Sequence, residues 1–107
     1  MKYSIKDKIT NEKPTVELTD TLTVTVNNSF RKVLAMQEKL RSDEFNSDAE
    51  KMVSVLECLL DKKDVKAIND MDLPFDQYLA VVKTIIAAAT GQSIETVEDR
   101  FQQAVNN

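Results

Sequence analysis

From Leu73 to Gly91 the chain reads LPFDQYLAVVKTIIAAATG, its longest apolar run. Phe75, Tyr78, Leu79, Val82, Ile85, Ile86 and Ala89 recur at steps of three and four, the spacing of one helix face. Ala80, Val81, Ala87 and Ala88 widen that face into a broad arc, and after Asp76 the only charge is Lys83. A helix apolar on most sides needs cover on most sides. The pattern therefore predicts that this helix is the most buried element and that the others pack around it. The run is broken by Lys83 and Thr84 and falls short of the ~20 apolar residues of a membrane span. Its boundaries are well marked. Pro74 suits a first turn, where its missing N–H would be unpaired anyway. Asp76 places negative charge at the positive end of the helix dipole. Thr90-Gly91 provides a stop, because glycine takes the left-handed conformation that closes a helix.

Residues 1–28 follow a different period. In VELTDTLTVTV, Val16 and Leu18, then Leu22, Val24 and Val26, alternate with Glu, Thr and Asp. That is the signature of half-buried strands rich in β-branched residues. Thr19-Asp20 would turn the chain between two short strands, without the glycine of the strongest hairpin signals. The same pattern fits a single strand at 22–26 preceded by a loose arm. Tyr3, Ile5 and Ile9 are compatible with an earlier strand around Asp7-Lys8. An isolated hairpin is marginal in water, so it must lie on the helices or pair with another chain. An open strand edge of this kind would favour self-association.

Four further helices are expected. Asn27, Asn28 and Ser29 are suitable N-caps for a helix marked by Phe30, Val33, Leu34, Gln37 and Leu40. Residues 41–48 form a polar loop containing Phe45. Ser47 and Glu50 are spaced as a capping box ahead of a strongly apolar helix with Met52, Val53, Val55, Leu56, Leu59 and Leu60. Phe45, two residues before that cap, could fold back onto this helix. Asp61 can cap a short third helix with Val65, Ala67 and Ile68 inward and Lys62, Lys63 and Lys66 outward. Beyond Gly91, Ser93 opens a last helix in which Ile94, Val97, Phe101, Ala104 and Val105 share one side. The expected architecture is one mainly α (α+β) domain, 1–107. It combines a β-rich N-terminal arm (1–28) with a four- to five-helix, bundle-like body (29–105).

Composition agrees. With 107 residues the chain makes one domain with a modest core, and one glycine and two prolines argue against a loop-rich all-β fold. The net charge of −4 disfavours nucleic acid and anionic membranes. The N-terminus, MKYSIKDKITNEK, lacks the apolar core of a signal peptide. A single cysteine, Cys58, excludes an internal disulfide and fits a reducing compartment.

Candidate chemistry changes little. The chain has no histidine, which excludes the common zinc sites and leaves Cys58 without the usual activating partner. One glycine cannot build a phosphate-binding loop. DKKDVKAINDMD has the acids of a calcium loop but neither its glycine nor its spacing. Asp70 with Asp72, or Glu98 with Asp99, could be paired acids, but such pairs need shielded, converging carboxyls and these lie at solvated helix ends. Lys62, Lys63 and Lys66 are interrupted by Asp61 and Asp64 and lack interleaved aromatics, so they are a solvated face, not a nucleic-acid stripe. No catalytic, cofactor or metal residues emerge, and the residues point to a non-enzyme.

Three stretches together resemble a known family: the helix opening NNSFRKVL, the segment AINDMDLPFDQYLAVVKTIIAAATG and the ending ETVEDRFQ. Over residues 15–103 the chain resembles the small tail assembly chaperones of long-tailed phages and prophages of Gram-positive bacteria. The resemblance implies a small helical protein of the host bacterial cytoplasm. It would escort the tape-measure protein while tail-tube subunits polymerise around it. The implied partners are the tape-measure protein and, secondarily, the tail-tube protein. No functional residue is transferable position by position. A chaperone of a long helical protein needs an apolar groove, and the last helix is the expected wall, through Ile94, Val97, Phe101 and Val105. The same four residues could instead close the core, and Phe30 with Phe45 would be the next partner surface. The competing class is a small regulatory or nucleic-acid-binding protein, which would need a compact basic face.

Overall fold

A computed structural model describes residues 1–10, 12–42, 44 and 47–106, with side chains as far as residue 100. The element order is a 3-10 turn (Lys6–Lys8), β1 (Thr15–Glu17), β2 (Thr23–Thr25), α1 (Phe30–Arg41), α2 (Asp48–Leu59), α3 (Lys62–Asp70), α4 (Phe75–Thr90) and α5 (Ile94–Asn106). The molecule is thus mainly helical with a small N-terminal hairpin, as the hydrophobic periods indicate. The expected fold-back of Phe45 and the side chains of Phe101, Ala104 and Val105 lie outside the described residues.

Of the two N-terminal alternatives the hairpin is the one formed. β1 and β2 pair antiparallel, with Val16 opposite Val24. The Leu22 N–H and the Thr21 N–H both donate to Thr19 Oγ1, at 3.0 and 3.2 Å, so a threonine side chain supplies the turn hydrogen bonds. Alternation then decides what is buried: Val16, Val24 and Val26 face inward, while Thr15, Glu17, Thr23 and Thr25 face solvent. The Asn27 N–H donates to the Leu59 carbonyl at 2.7 Å, tying the end of β2 to the end of α2. The strands therefore find their partners inside the chain, with β1 packed on α4. No earlier strand forms among residues 1–10. That segment makes one 3-10 turn and is exposed throughout.

The caps fall where serine and glycine place them. Ser29 Oγ accepts from the Lys32 N–H at 3.3 Å and Ser47 Oγ from the Glu50 N–H at 3.2 Å, opening α1 and α2. Lys51 Nζ reaches the Leu40 carbonyl at 3.1 Å, putting a positive charge at the negative end of α1 and joining the two helices of this α-hairpin. Asp61 precedes α3 without a side-chain cap bond. Asp64 is buried in the first turn of α3, where the helix dipole favours it, and is not a member of the solvated face assigned to it from sequence. Asp72, with φ 49°, and Gly91, with φ 71°, take the left-handed conformation that ends α3 and α4.

One core cluster joins hairpin and helices. Two sequence expectations about it need correction. Along α4, Val82, Ile85, Ile86, Ala87 and Ala89 are buried, but Tyr78 and Leu79 are only half-buried and Phe75 is 64% exposed. At 16 residues α4 is about 24 Å long against about 18 Å for its neighbour α2, so its first turns overhang the core. Among the described residues it still contributes the most buried positions, five against four in α2. α2, with Val55, Leu56 and Leu59 fully buried, shares the centre, packing against α1, α3 and α4. In α1 the fully buried residue is Met36, flanked by half-buried Val33, Gln37 and Leu40. Phe30 at 79% and Leu34 at 43% stay exposed, on the face of α1 turned away from Met36. Two hydroxyls inside apolar α4 satisfy themselves on their own helix: Thr84 Oγ1 donates to the Ala80 carbonyl and Thr90 Oγ1 to the Ile86 carbonyl, each at 2.8 Å.

Candidate functional site

α1, the C-terminal half of α4 and α5 meet around a cleft of about 190 Å³. Its floor is apolar. Met36 and Leu40 come from α1 at i and i+4, Ile86 from α4 and Val97 from α5. Met36, Ile86 and Val97 are almost wholly buried, and Leu40 is half-buried. The rim is polar. Arg41 stands at the end of α1 and Arg100 one turn beyond Val97. Gln92, in the turn between α4 and α5, accepts at its amide oxygen from Arg100 at 3.3 Å, while the single hydroxyl proton of Thr90 goes to the Ile86 carbonyl. One side chain therefore ties α5 to the turn that leaves α4.

The local sequence explains how α5 is placed. Gly91 turns the chain out of α4, and its N–H donates to the Ala87 carbonyl at 2.9 Å. Two residues later Ser93 restarts the helix, its Oγ accepting from the Thr96 N–H at 3.1 Å and its carbonyl from the Val97 N–H at 3.2 Å. Glu95 sits in the first turn, as the dipole prefers. The helix thus re-enters with Val97 over the core.

Of the four residues expected to wall a groove, the structure brings only Val97 to this cleft. Ile94 is 47% exposed and outside the lining, and the side chains of Phe101 and Val105 lie beyond the described residues. Sequence reading missed Met36, Leu40, Arg41, Gln92 and Arg100. The signal for Arg100 was available, since it stands three residues after Val97. Met36, Leu40 and Arg41 were hidden because only folding opposes α1 to α5.

A volume of about 190 Å³ lies below the roughly 300–1,000 Å³ of ordinary small-molecule sites. It suits one or two apolar side chains of a peptide segment, with the guanidinium groups positioned to meet acids flanking them. A second cleft, between α2, α3 and the start of α4, is lined by Met52, Val53, Ile68, Leu73, Phe75 and Tyr78, with Asp72 among them. Tyr78 Oη donates to Asn69 Oδ1 at 3.3 Å, and burial, followed by the charge of Glu57, raises its pKa. Among the described residues no group of three His, Cys, Asp or Glu side chains could hold a metal ion, and no helix is long and apolar enough to cross a membrane.

Cys58 lies half-buried on α2. Burial pushes its thiol above the ordinary range, against the opposing pull of Lys39 and Lys32, and Glu57 adds to the rise. Thiol reagents at neutral pH should therefore modify the folded protein more slowly than the denatured chain, since the thiolate is the reactive form. Equal rates would show an open thiol. The sign for stability follows: neutral Cys58 and Tyr78 are favoured by the fold, so their contribution is full below the ordinary values. It is lost as pH rises through the raised ones, above about pH 9 to 10.

The fold and cleft define a mainly α domain with an N-terminal β-hairpin and a side-chain-sized apolar slot under its last helix. Compared with protein-family models, with curated proteins and with solved structures, the chain has no match.

Proposed function

We propose that the protein is a non-enzymatic tail assembly chaperone of a long-tailed phage or prophage. It acts in the host bacterial cytoplasm by holding an amphipathic segment of the tape-measure protein. The tail-tube protein is the second partner under this reading, and neither nucleic acid nor membrane is a ligand. Two things support it. One is the resemblance carried by AINDMDLPFDQYLAVVKTIIAAATG and ETVEDRFQ. The other, which carries the mechanism, is the apolar cleft under α5 with Arg41 and Arg100 on its rim. Helix-in-groove recognition works by seating apolar side chains at i, i+3 or i+4 in such a slot. A small slot holds each anchor weakly, and weak, repeated contacts along a long helical client allow release as the tube grows.

The test is binding of purified protein to tape-measure fragments. Arg41→Glu/Arg100→Glu changes two exposed side chains, one of which also bonds Gln92, so the melt is measured beside binding, and affinity should fall roughly tenfold or more in a variant that stays folded. Undiminished binding by the double variant would move the site away from this cleft. Sub-micromolar binding to DNA or RNA at roughly 150 mM salt, weakening steeply as salt is added, would replace the chaperone with the regulatory class.

A further inference from the structure

The ten N-terminal residues, MKYSIKDKIT, are all exposed. Yet Tyr3, Ile5 and Ile9 are large and apolar, at 86, 62 and 68% exposure, and Lys2, Lys6 and Lys8 alternate around them against one acid, Asp7. The only regular structure is the 3-10 turn Lys6–Lys8, closed by the Lys8 N–H donating to the Ile5 carbonyl at 2.8 Å. This arm extends the molecule. The radius of gyration is 14.9 Å, against about 13 Å for a compact domain of this length.

The body carries a surface of opposite character. The cleft between α2, α3 and the start of α4 has an apolar and aromatic lining of about 360 Å³. Phe75 stands at its mouth, 64% exposed on the overhanging turn of α4. The chain there reads NDMDLPFDQY, with Asp70, Asp72 and Asp76 and no base. Lys66 bridges Asp70 at 2.7 Å, while Asp72 stands in the lining, Asp76 follows Phe75 in the chain, and the charge of Glu57 acts on Tyr78.

We infer that the basic, apolar arm of one copy docks in the acid-rimmed α2–α3–α4 cleft of a second copy, and reciprocally, to make a two-fold dimer. The charges match, and both apolar surfaces stay open within a single chain: the arm does not enter its own cleft, and Phe75 remains uncovered. Reciprocal exchange is isologous, so each favourable contact occurs twice. Tyr3 and Ile5, both exposed, are the anchors for the pocket beside Phe75, and the lysines around them supply the positive charge that meets Asp72 and Asp76. This surface is separate from the cleft under α5, so the inference does not depend on which partner that cleft takes.

Sedimentation velocity over a concentration series tests it with the full chain. The parent should show a reversible monomer–dimer equilibrium in the micromolar range that weakens with added salt. Two variants should each remain monomeric with an unchanged melt: Lys2→Glu/Lys6→Glu/Lys8→Glu on the arm, and Asp72→Lys/Asp76→Lys on the body. An equimolar mixture of the two should recover dimer, since each arm then meets a cleft of opposite sign. A parent that stays monomeric to high micromolar concentration overturns the inference. So does a dimer that survives in both variants, or a mixture that fails to recover association while both variants keep the parent's melt. If Asp72→Lys disturbs the turn it ends, Tyr3→Ser/Ile5→Ser, on an arm outside the core, supplies the independent variant, and dimerisation by it overturns the proposal equally.

Discussion

Ile85→Asp should lower the stability of the domain by roughly 4 kcal/mol or more, enough to abolish a cooperative native melt in many domains of this size. Ile85 is fully buried at the middle of α4, in the cluster that also holds Val82, Val55, Leu56 and Leu59. A carboxylate there must either shed its hydration without a partner or be protonated, and each route costs free energy that the fold does not recover. Ile85→Val separates charge from volume, because it removes one methylene and should cost only about 1 kcal/mol. Urea unfolding followed by circular dichroism measures both. An aspartate variant that unfolds at the parent's midpoint would remove α4 from the core.

Deleting residues 94–107 should abolish binding to the tape-measure segment while leaving a folded α1–α4 body. The deletion removes Val97, whose burial contributes about 2 kcal/mol, and opens Met36 and Ile86 to water. That loss is a fraction of the ~5–15 kcal/mol of a typical domain. Val97 is the one described α5 member of the core cluster, and the α2, α4 and hairpin residues with Ile68 make up most of the rest. The expected result is a cooperative melt at lower temperature together with loss of binding. Loss of cooperativity would show that Val97 is a structural keystone and that α5 serves the core. A folded truncation that still binds would place the partner surface elsewhere, and Phe30, 79% exposed at the start of α1, is the next candidate.

The two outcomes separate contributions that Val97 combines in one side chain. It closes the core over Ile86 and walls the cleft beside Arg100. Arg100 also donates to Gln92, so Arg41→Glu/Arg100→Glu reports on the rim only when the melt is unchanged. Agreement between truncation and charge reversal would locate the partner in the cleft; disagreement would assign α5 to stability.

Helix and strand identity was legible because each element carries its own signal. Period two in residues 16–26, period 3.6 in Met52–Leu60 and Val82–Ala89, serine caps at Ser29, Ser47 and Ser93, and glycine at Gly91 act within a few residues. They need no knowledge of neighbours. The hairpin's inward face followed too, since alternation leaves one choice once a single valine is placed.

Burial along a helix was legible only where both neighbours are long enough to reach it. Phe75 and Phe30 are as apolar as any core residue, yet both are exposed, because α4 outruns α2 and Phe30 lies on the face of α1 turned away from Met36. Met36 and Leu40 read as ordinary core positions and became cleft floor when folding set α5 against α1. The cleft, and the oppositely charged arm and α3–α4 surface, depend on the spatial relation of residues dozens of positions apart. Local periodicity records which side of an element is apolar. Only tertiary packing decides which apolar sides are covered and which stay open to solvent.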